Sequence, residues 1–175
     1  MNFGKDTPVG FIGLGNMGGG MAHCLLRQGF RLHVSGRRPE ALAPFVAAGA
    51  RAEASPAGLA RACKLVILCL SDDAAVEAVL FGAGGLAEGL AAGSCVVDTS
   101  TISASSARAF GQRLQAQGVT FLDAPISGGQ QGAESGTLNT MVGGPAEALE
   151  ACKPVLQAFC KGITHVGADG AGQTD

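Results

Sequence analysis

An apolar run, Val9-Gly-Phe-Ile, gives way to Gly13-Leu-Gly15-Asn-Met-Gly18 and then to Met21, Cys24, Leu25 and Gln28 on adjacent helical turns. A glycine-rich turn between a buried strand and a helix leaves few folds open. The first glycine allows a tight turn, the second lets another group approach the backbone, and the third lets helix and strand pack closely. The helix N-terminus then aims its unpaired N–H groups at whatever lies over the turn. In a chain with 28 glycines the pattern means little alone. Following a strand and opening a helix, it describes a seat for a pyrophosphate. The expected ligand is a dinucleotide, held by Gly13, Leu14, Gly15, Asn16, Met17 and Gly18.

The rest of the chain alternates in the same manner. Strands are expected at 9–13, 31–35, 50–52, 64–70, 94–98, 119–124, 137–142 and 162–166. Helices are expected at 17–28, 39–48, 56–62, 73–80, 103–117 and 146–159, with Asp72 or Asp73 placed to cap the fourth. Lys64-Leu-Val-Ile-Leu-Cys-Leu70 is apolar on both faces, as in a parallel sheet covered by helices on each side. The glycine-flanked strand at 137–142 suits an antiparallel partner. The fold class is α/β: a doubly wound, Rossmann-type, mostly parallel sheet with helices on both faces. A length of 175 residues gives one domain rather than two.

Strand two ends in Val34-Ser-Gly-Arg-Arg38. An NAD site usually places a carboxylate here to accept from the ribose 2′-hydroxyl. This chain offers Ser35, Arg37 and Arg38 instead, and a guanidinium fork suits a 2′-phosphate, so NADP is expected over NAD. Further on, Ser127, Gly128 and Gly129 follow a strand. Their backbone N–H groups and the serine hydroxyl could form a nest for a carboxylate, but by spacing alone an ordinary glycine turn fits equally well.

Other classes are excluded or bland. A net charge of −2 argues against nucleic acid and anionic membrane as partners. No apolar run approaches the ~18 residues of a membrane span, and the N-terminus lacks the pattern of a secretory signal, so a cytoplasmic protein is expected. Six cysteines include no C-x-x-C pair and no histidine at zinc-finger spacing, so no metal is expected and the thiols read as reduced and structural. His23 reads as packing or surface; His33 and His165 lie on strands with no partner pattern. Phe81-Gly-Ala-Gly-Gly85 lacks the Lys and Ser/Thr of a P-loop and reads as a turn.

Three stretches in order, Gly10-Phe-Ile-Gly-Leu-Gly-Asn-Met-Gly18, Val97-Asp-Thr-Ser-Thr101 and Asp123-Ala-Pro-Ile-Ser-Gly-Gly129 with Gly132-Ala133 and Gly136-Thr-Leu138, resemble the β-hydroxyacid dehydrogenase family. That family includes 3-hydroxyisobutyrate dehydrogenase and tartronate semialdehyde reductase and is related to 6-phosphogluconate dehydrogenase. The resemblance runs from Val9 to the last residue. It implies that 13–18 hold the pyrophosphate and that Arg37 stands where NADP-using members carry an arginine. Gly36 departs from the asparagine many of those members have. Leu70 and Ser71 would line the adenosine side, and Thr99 and Ser100 would lie by the nicotinamide. Thr101, Ser127, Gly128 and Gly129 would meet the substrate.

The resemblance also implies that Gly167-Ala-Asp-Gly-Ala-Gly-Gln173 opens an interdomain helix leading to an all-helical second domain. The family's catalytic lysine follows that glutamine by three positions, and Asp175 is one residue short of it. Lys153 and Lys161 precede the motif and do not match. The expectation is therefore an NADP-binding domain at 1–166, with 167–175 as the start of the interdomain helix. The family's C-terminal domain and catalytic lysine would be absent. The intact parent would be an NADP-dependent oxidoreductase of a small 3-hydroxy acid or semialdehyde; this stretch alone would be inactive and would self-associate as a homo-oligomer. The alternatives are a non-catalytic NADP-binding regulatory module and an imine reductase. The Ser127-Gly128-Gly129 loop speaks against the latter, whose substrate brings no carboxylate.

Overall fold

The computed structural model describes residues 2–173. In chain order its elements are β1 (Val9–Ile12), α1 (Asn16–Arg27), β2 (Leu32–Ser35), α2 (Pro39–Ala47), β3 (Arg51–Ala52), α3 (Pro56–Ala62), β4 (Leu65–Leu68), α4 (Asp73–Phe81), β5 (Cys95–Asp98), α5 (Ala104–Gln115), β6 (Thr120–Asp123), β7 (Ile126–Ser127), α6 (Gly129–Ser135), β8 (Leu138–Gly143), α7 (Ala146–Leu156) and β9 (Cys160–Gly167). Short 3-10 turns occupy Leu86–Glu88 and Ala171–Gln173.

The sheet runs β3-β2-β1-β4-β5-β6-β8-β7, with β9 also on β8. From β3 to β6 every pairing is parallel. β8 lies antiparallel to β6 and β7 and parallel to β9. The period-2 alternation of strand side chains explains the double winding. In β4, Leu65 and Ile67 enter one core with Met21, Leu25, Phe45, Val155 and Phe159. Val66 and Leu68 enter the other with Leu59, Val76, Leu80, Phe110 and Leu114. Helices α1, α2, α6 and α7 thus cover one face, and α3, α4 and α5 the other. Asp72 caps α4, its Oδ1 accepting from Ala75 N at 2.8 Å.

The mostly parallel doubly wound sheet is as expected, and the differences are local. Residues 129–135 form a helix, where the sequence reads as a glycine turn at 127–129 and no helix is expected. Its composition disfavours helix, but tertiary contact overrides propensity. Gly20 of α1 lets Ala133 approach, the Cys24 thiol donates to Ala133 O (3.2 Å), and Arg27 donates to Glu134 O (2.8 Å). The helix expected to run to Phe159 ends at Leu156 and the last strand begins earlier, at Cys160. Two histidines read as unpartnered have partners: His33 Nδ1 meets Glu53 Oε2 at 2.7 Å, and His165 Nε2 meets Gly144 O at 2.7 Å. His23 stacks on Phe45.

All six cysteines are free, and burial pushes the Cys63 and Cys160 thiols up to about 12. No helix among the described residues is long and apolar enough to cross a membrane. The expected start of an interdomain helix is a 3-10 turn at Ala171–Gln173; Thr174 and Asp175 lie outside the described residues.

Candidate functional site

Because β1 to β6 run in parallel, their carboxyl ends form one edge of the sheet, and every nominated residue lies at or just past such an end. Residues 13–18 follow β1, 35–38 close β2, 70–71 follow β4, 99–101 follow β5, and 127–129 lie beyond β6. The strand order reverses between β1 and β4, so the connections leave in opposite directions, which is where open α/β sheets take their ligands.

The glycine loop lies at that switch point. Gly13 has φ +109°, a conformation L side chains rarely adopt, and a Cβ there would strike the Cys69 carbonyl. That carbonyl is held in place because Cys69 N donates to Ile12 O at 3.0 Å. At Gly18 a Cβ would run into the Gly13 carbonyl oxygen and the Phe11 ring. Gly15 is different. Its backbone is extended (φ −76°, ψ −159°), and a Cβ there would have nothing within 4 Å. Gly15 is also the N-cap of α1, and no side chain caps that helix. The positive end of a 12-residue helix therefore faces an open space with glycine beneath it.

At the end of β2, Ser35 is buried while Arg37 and Arg38 are exposed, and neither arginine has an ion-pair partner among the described residues. Glu53, the carboxylate just past neighbouring β3, is engaged by His33. Among the described residues, two guanidinium groups without an ion pair thus stand where the usual carboxylate is missing.

The loop after β5 turns its first two hydroxyls inward. Thr99 Oγ1 donates to Leu68 O (2.6 Å), and Ser100 Oγ accepts from Leu70 N (2.8 Å); both residues are buried. Their side chains fix the backbone of the β4 loop, leaving Leu70 half-buried and Ser71 and Thr101 exposed. Asp98, fully buried, accepts from Ser100 N with Oδ1 (3.0 Å), while Oδ2 has no partner. Burial pushes its carboxyl up to about 7.

A cleft of about 460 Å³ lies beside this loop and brings together Thr101, Ser127, Asn139, Thr140 and Gln173. At its edge Gly128 (φ +134°) and Gly129 (φ +71°) turn the chain into α6. Asp123 and Gln173 are the residues sequence reasoning did not nominate. The Asp123 carboxylate accepts from Gly170 N (2.7 Å) and Gly172 N (2.8 Å). Burial raises its pKa and those two hydrogen bonds oppose the rise. Gln173 Nε2 donates to Ser100 O (2.9 Å) and its Oε1 accepts from Ile102 N (3.3 Å). The only signal in the sequence was their place inside two of the quoted motifs. A second cavity, of about 500 Å³ under α5, is lined by Arg108, Phe121, Gly144 and Asp169 and contains no nominated residue. Among the described residues no cluster of three His, Cys, Asp or Glu could hold a metal ion.

Comparison with known proteins agrees with this fold. Residues 8–167 match the model of the NAD binding domain of 6-phosphogluconate dehydrogenase. L-threonate dehydrogenase of Cupriavidus necator is 44% identical over 165 residues, covering 94% of this chain and 56% of that protein. 3-Hydroxyisobutyrate dehydrogenase of Pseudomonas aeruginosa is 41% identical over 167 residues, covering 95% and 56%. The chain therefore spans little more than half the length of these curated relatives. Among solved structures, Psf3 in complex with NADP+ and 2-OPP superimposes with a TM-score of 0.90 at 34% identity, covering 94% of this chain and 58% of that one. With its glycine loop, its strand order and this match over nearly its whole length, the chain belongs to the β-hydroxyacid dehydrogenase family, through the NAD-binding domain shared with 6-phosphogluconate dehydrogenase.

Proposed function

We propose that residues 1–166 form an NADP-binding domain and that the longer protein is an NADP-dependent dehydrogenase or reductase of a small 3-hydroxy acid. The observation that carries the reading is the uncapped N-terminus of α1 beneath Gly15, where a pyrophosphate meets backbone N–H groups and no side chain. The glycine cradle fits the cofactor because the one position open to approach is also the helix N-cap. Leu14, Asn16 and Met17 complete the cradle, and Leu70 and Ser71 flank the adenosine. Arg37 and Arg38 take the 2′-phosphate, with Ser35 behind them.

When bound, the nicotinamide exchanges hydride with the substrate's carbinol carbon. Thr99 and Ser100 shape the neighbouring wall through their backbone. Thr101, Ser127, Gly128 and Gly129 orient the substrate carboxylate in the 460 Å³ cleft. The hydroxyl proton needs a group that titrates near neutrality. Among the described residues the cleft lining of Thr, Ser, Asn, Gln, Met, Pro, Ile and Gly supplies none. A polypeptide of these 175 residues is therefore expected to bind NADP(H) and to turn over no substrate. L-Threonate and 3-hydroxyisobutyrate, named by the relatives, are the first substrates to try with the longer protein.

The test is a titration with NADPH and, separately, NADH, read by the fluorescence of the reduced nicotinamide. The chain has no Trp or Tyr, so protein background is low. NADPH is expected to bind at least ~10-fold more tightly, and Arg37→Ala with Arg38→Ala to erase that preference, since charge-assisted hydrogen bonds contribute about 1.5–3 kcal/mol. Equal affinities for the two cofactors would overturn the NADP assignment, and no binding of either would overturn the whole reading.

A further inference from the structure

Three segments distant in sequence meet at the wall of the 460 Å³ cleft: the loop at 99–102, the end of β6 running into Ser127, and the segment at 168–173. The Asp123 carboxylate joins them. One oxygen takes the Gly170 amide and the other the Gly172 amide, and Asp123 is fully buried, so no water competes. Only a side chain with two acceptors and no donor satisfies both amides; the NH2 of an asparagine would face an N–H. The clasp is tight on its far side too, since a Cβ at Gly172 would meet the carbonyl oxygens of Met141 and Asp123.

The clasp decides where the next residue lies. Gln173 donates to Ser100 O and accepts from Ile102 N, so its carboxamide brackets Thr101 from both sides. Reversing the carboxamide would set donor on donor and acceptor on acceptor, so its orientation is set by its partners. Nothing in the glycine loop takes part.

We propose that Asp123 is a positioning residue for the cleft: by clasping the Gly170 and Gly172 amides it sets Gln173, and through Gln173 it holds the Thr101 loop against the bound substrate. The substrate half of this statement rests on the function proposed above. Asp123 acts at second hand, since it faces two backbone amides rather than the cleft.

The experiment is residue-resolved amide hydrogen exchange on the protein and on Asp123→Asn and Gln173→Ala, with binding of 3-hydroxyisobutyrate measured at saturating NADP+. In Asp123→Asn, Gly170 and Gly172 are expected to exchange about 10- to 100-fold faster, the range for a hydrogen bond to a charged group. Ile102, which Asp123 does not touch, should lose protection with them. In Gln173→Ala only Ile102 should change. Both variants should bind 3-hydroxyisobutyrate at least ~10-fold more weakly and NADPH within about twofold of the parent. Should Asp123→Asn lose protection throughout the core, it has unfolded. Through-hydrogen-bond couplings from the Gly170 and Gly172 nitrogens to the Asp123 carboxyl carbon in the unaltered protein then decide the clasp, and Gln173→Ala decides the bracket.

Absent couplings, unchanged Gly170 and Gly172, or an Ile102 that keeps its protection in Asp123→Asn would each overturn the proposal. So would lost protection with unchanged 3-hydroxyisobutyrate affinity. If the unaltered protein binds neither NADPH nor 3-hydroxyisobutyrate, the functional reading falls, while the exchange pattern still decides whether Asp123 holds Gln173.

Discussion

Replacing Gly15 and Gly18 one at a time with alanine separates the two tasks of the glycine loop. At Gly18 the added methyl collides with the Gly13 carbonyl oxygen, which is backbone and cannot swing aside. Overpacking of this kind costs about 3 kcal/mol at the upper end, and better helix propensity returns about 1 kcal/mol. The net loss of about 2 kcal/mol should lower Tm by about 4–8 °C for a chain of this size. At Gly15 the backbone already suits alanine, with φ −76°, and the methyl points into open space. A gain of about 0.4–1 kcal/mol from the unfolded chain offsets a poorer N-cap worth about 1 kcal/mol, so Tm should stay within about 2 °C. The methyl does occupy the approach to the helix N-terminus. If a pyrophosphate sits there, the same 1–3 kcal/mol of overpacking appears as a roughly 5- to 150-fold loss of NADPH affinity. Thermal melts and NADPH fluorescence titrations on the two variants provide the assay. Gly15→Ala binding NADPH as tightly as the parent would refute the argument, because the open space would then have no ligand in it.

Asp98 makes stability depend on pH. Folded, it keeps its proton up to about 7 because burial disfavours the charge; unfolded, it releases it near 3.9. Between those values the folded state binds more protons, so stability should fall as pH rises from about 4 to about 7 and level off above. Three units set an upper bound of about 4 kcal/mol. Asp98→Asn keeps the acceptor for Ser100 N and has no charge to bury, so it should match the parent near pH 4 and melt higher at pH 8; equal melting at pH 8 would count against the buried charge. Met141 and Val166 stand half-exposed on adjoining strands β8 and β9, and the domain is expected to self-associate at high concentration. Sedimentation giving only monomer there would contradict this.

The double winding was legible because strands such as β4 are apolar at every position, which only a sheet covered on both faces accommodates. The edge carrying the candidate site was legible for a related reason: in a parallel sheet, residues just past strand ends converge without any knowledge of distance. Helix α6 was not legible, since its glycines oppose helix and its support comes from Cys24 and Arg27, more than 100 residues earlier. The inward turn of the Thr99 and Ser100 hydroxyls depends on carbonyl and amide groups about 30 residues away, which no local pattern announces. His33 found Glu53 across two adjacent strands, at a separation of 20. Each of these partners is set by tertiary packing, of helix on helix or of strand beside strand, which a one-dimensional pattern reaches last.

The amides that Asp123 clasps lie 47 and 49 residues further along the chain. At synthesis rates of about 5–20 residues per second, roughly two to ten seconds separate the arrival of the carboxylate from that of its partners. By then β1, α1, β2 and β4 have long since left the ribosome, and with them the whole of the glycine cradle. In a nascent chain the residues of the glycine cradle are thus available well before the wall of the 460 Å³ cleft can be completed, since that wall needs residue 173.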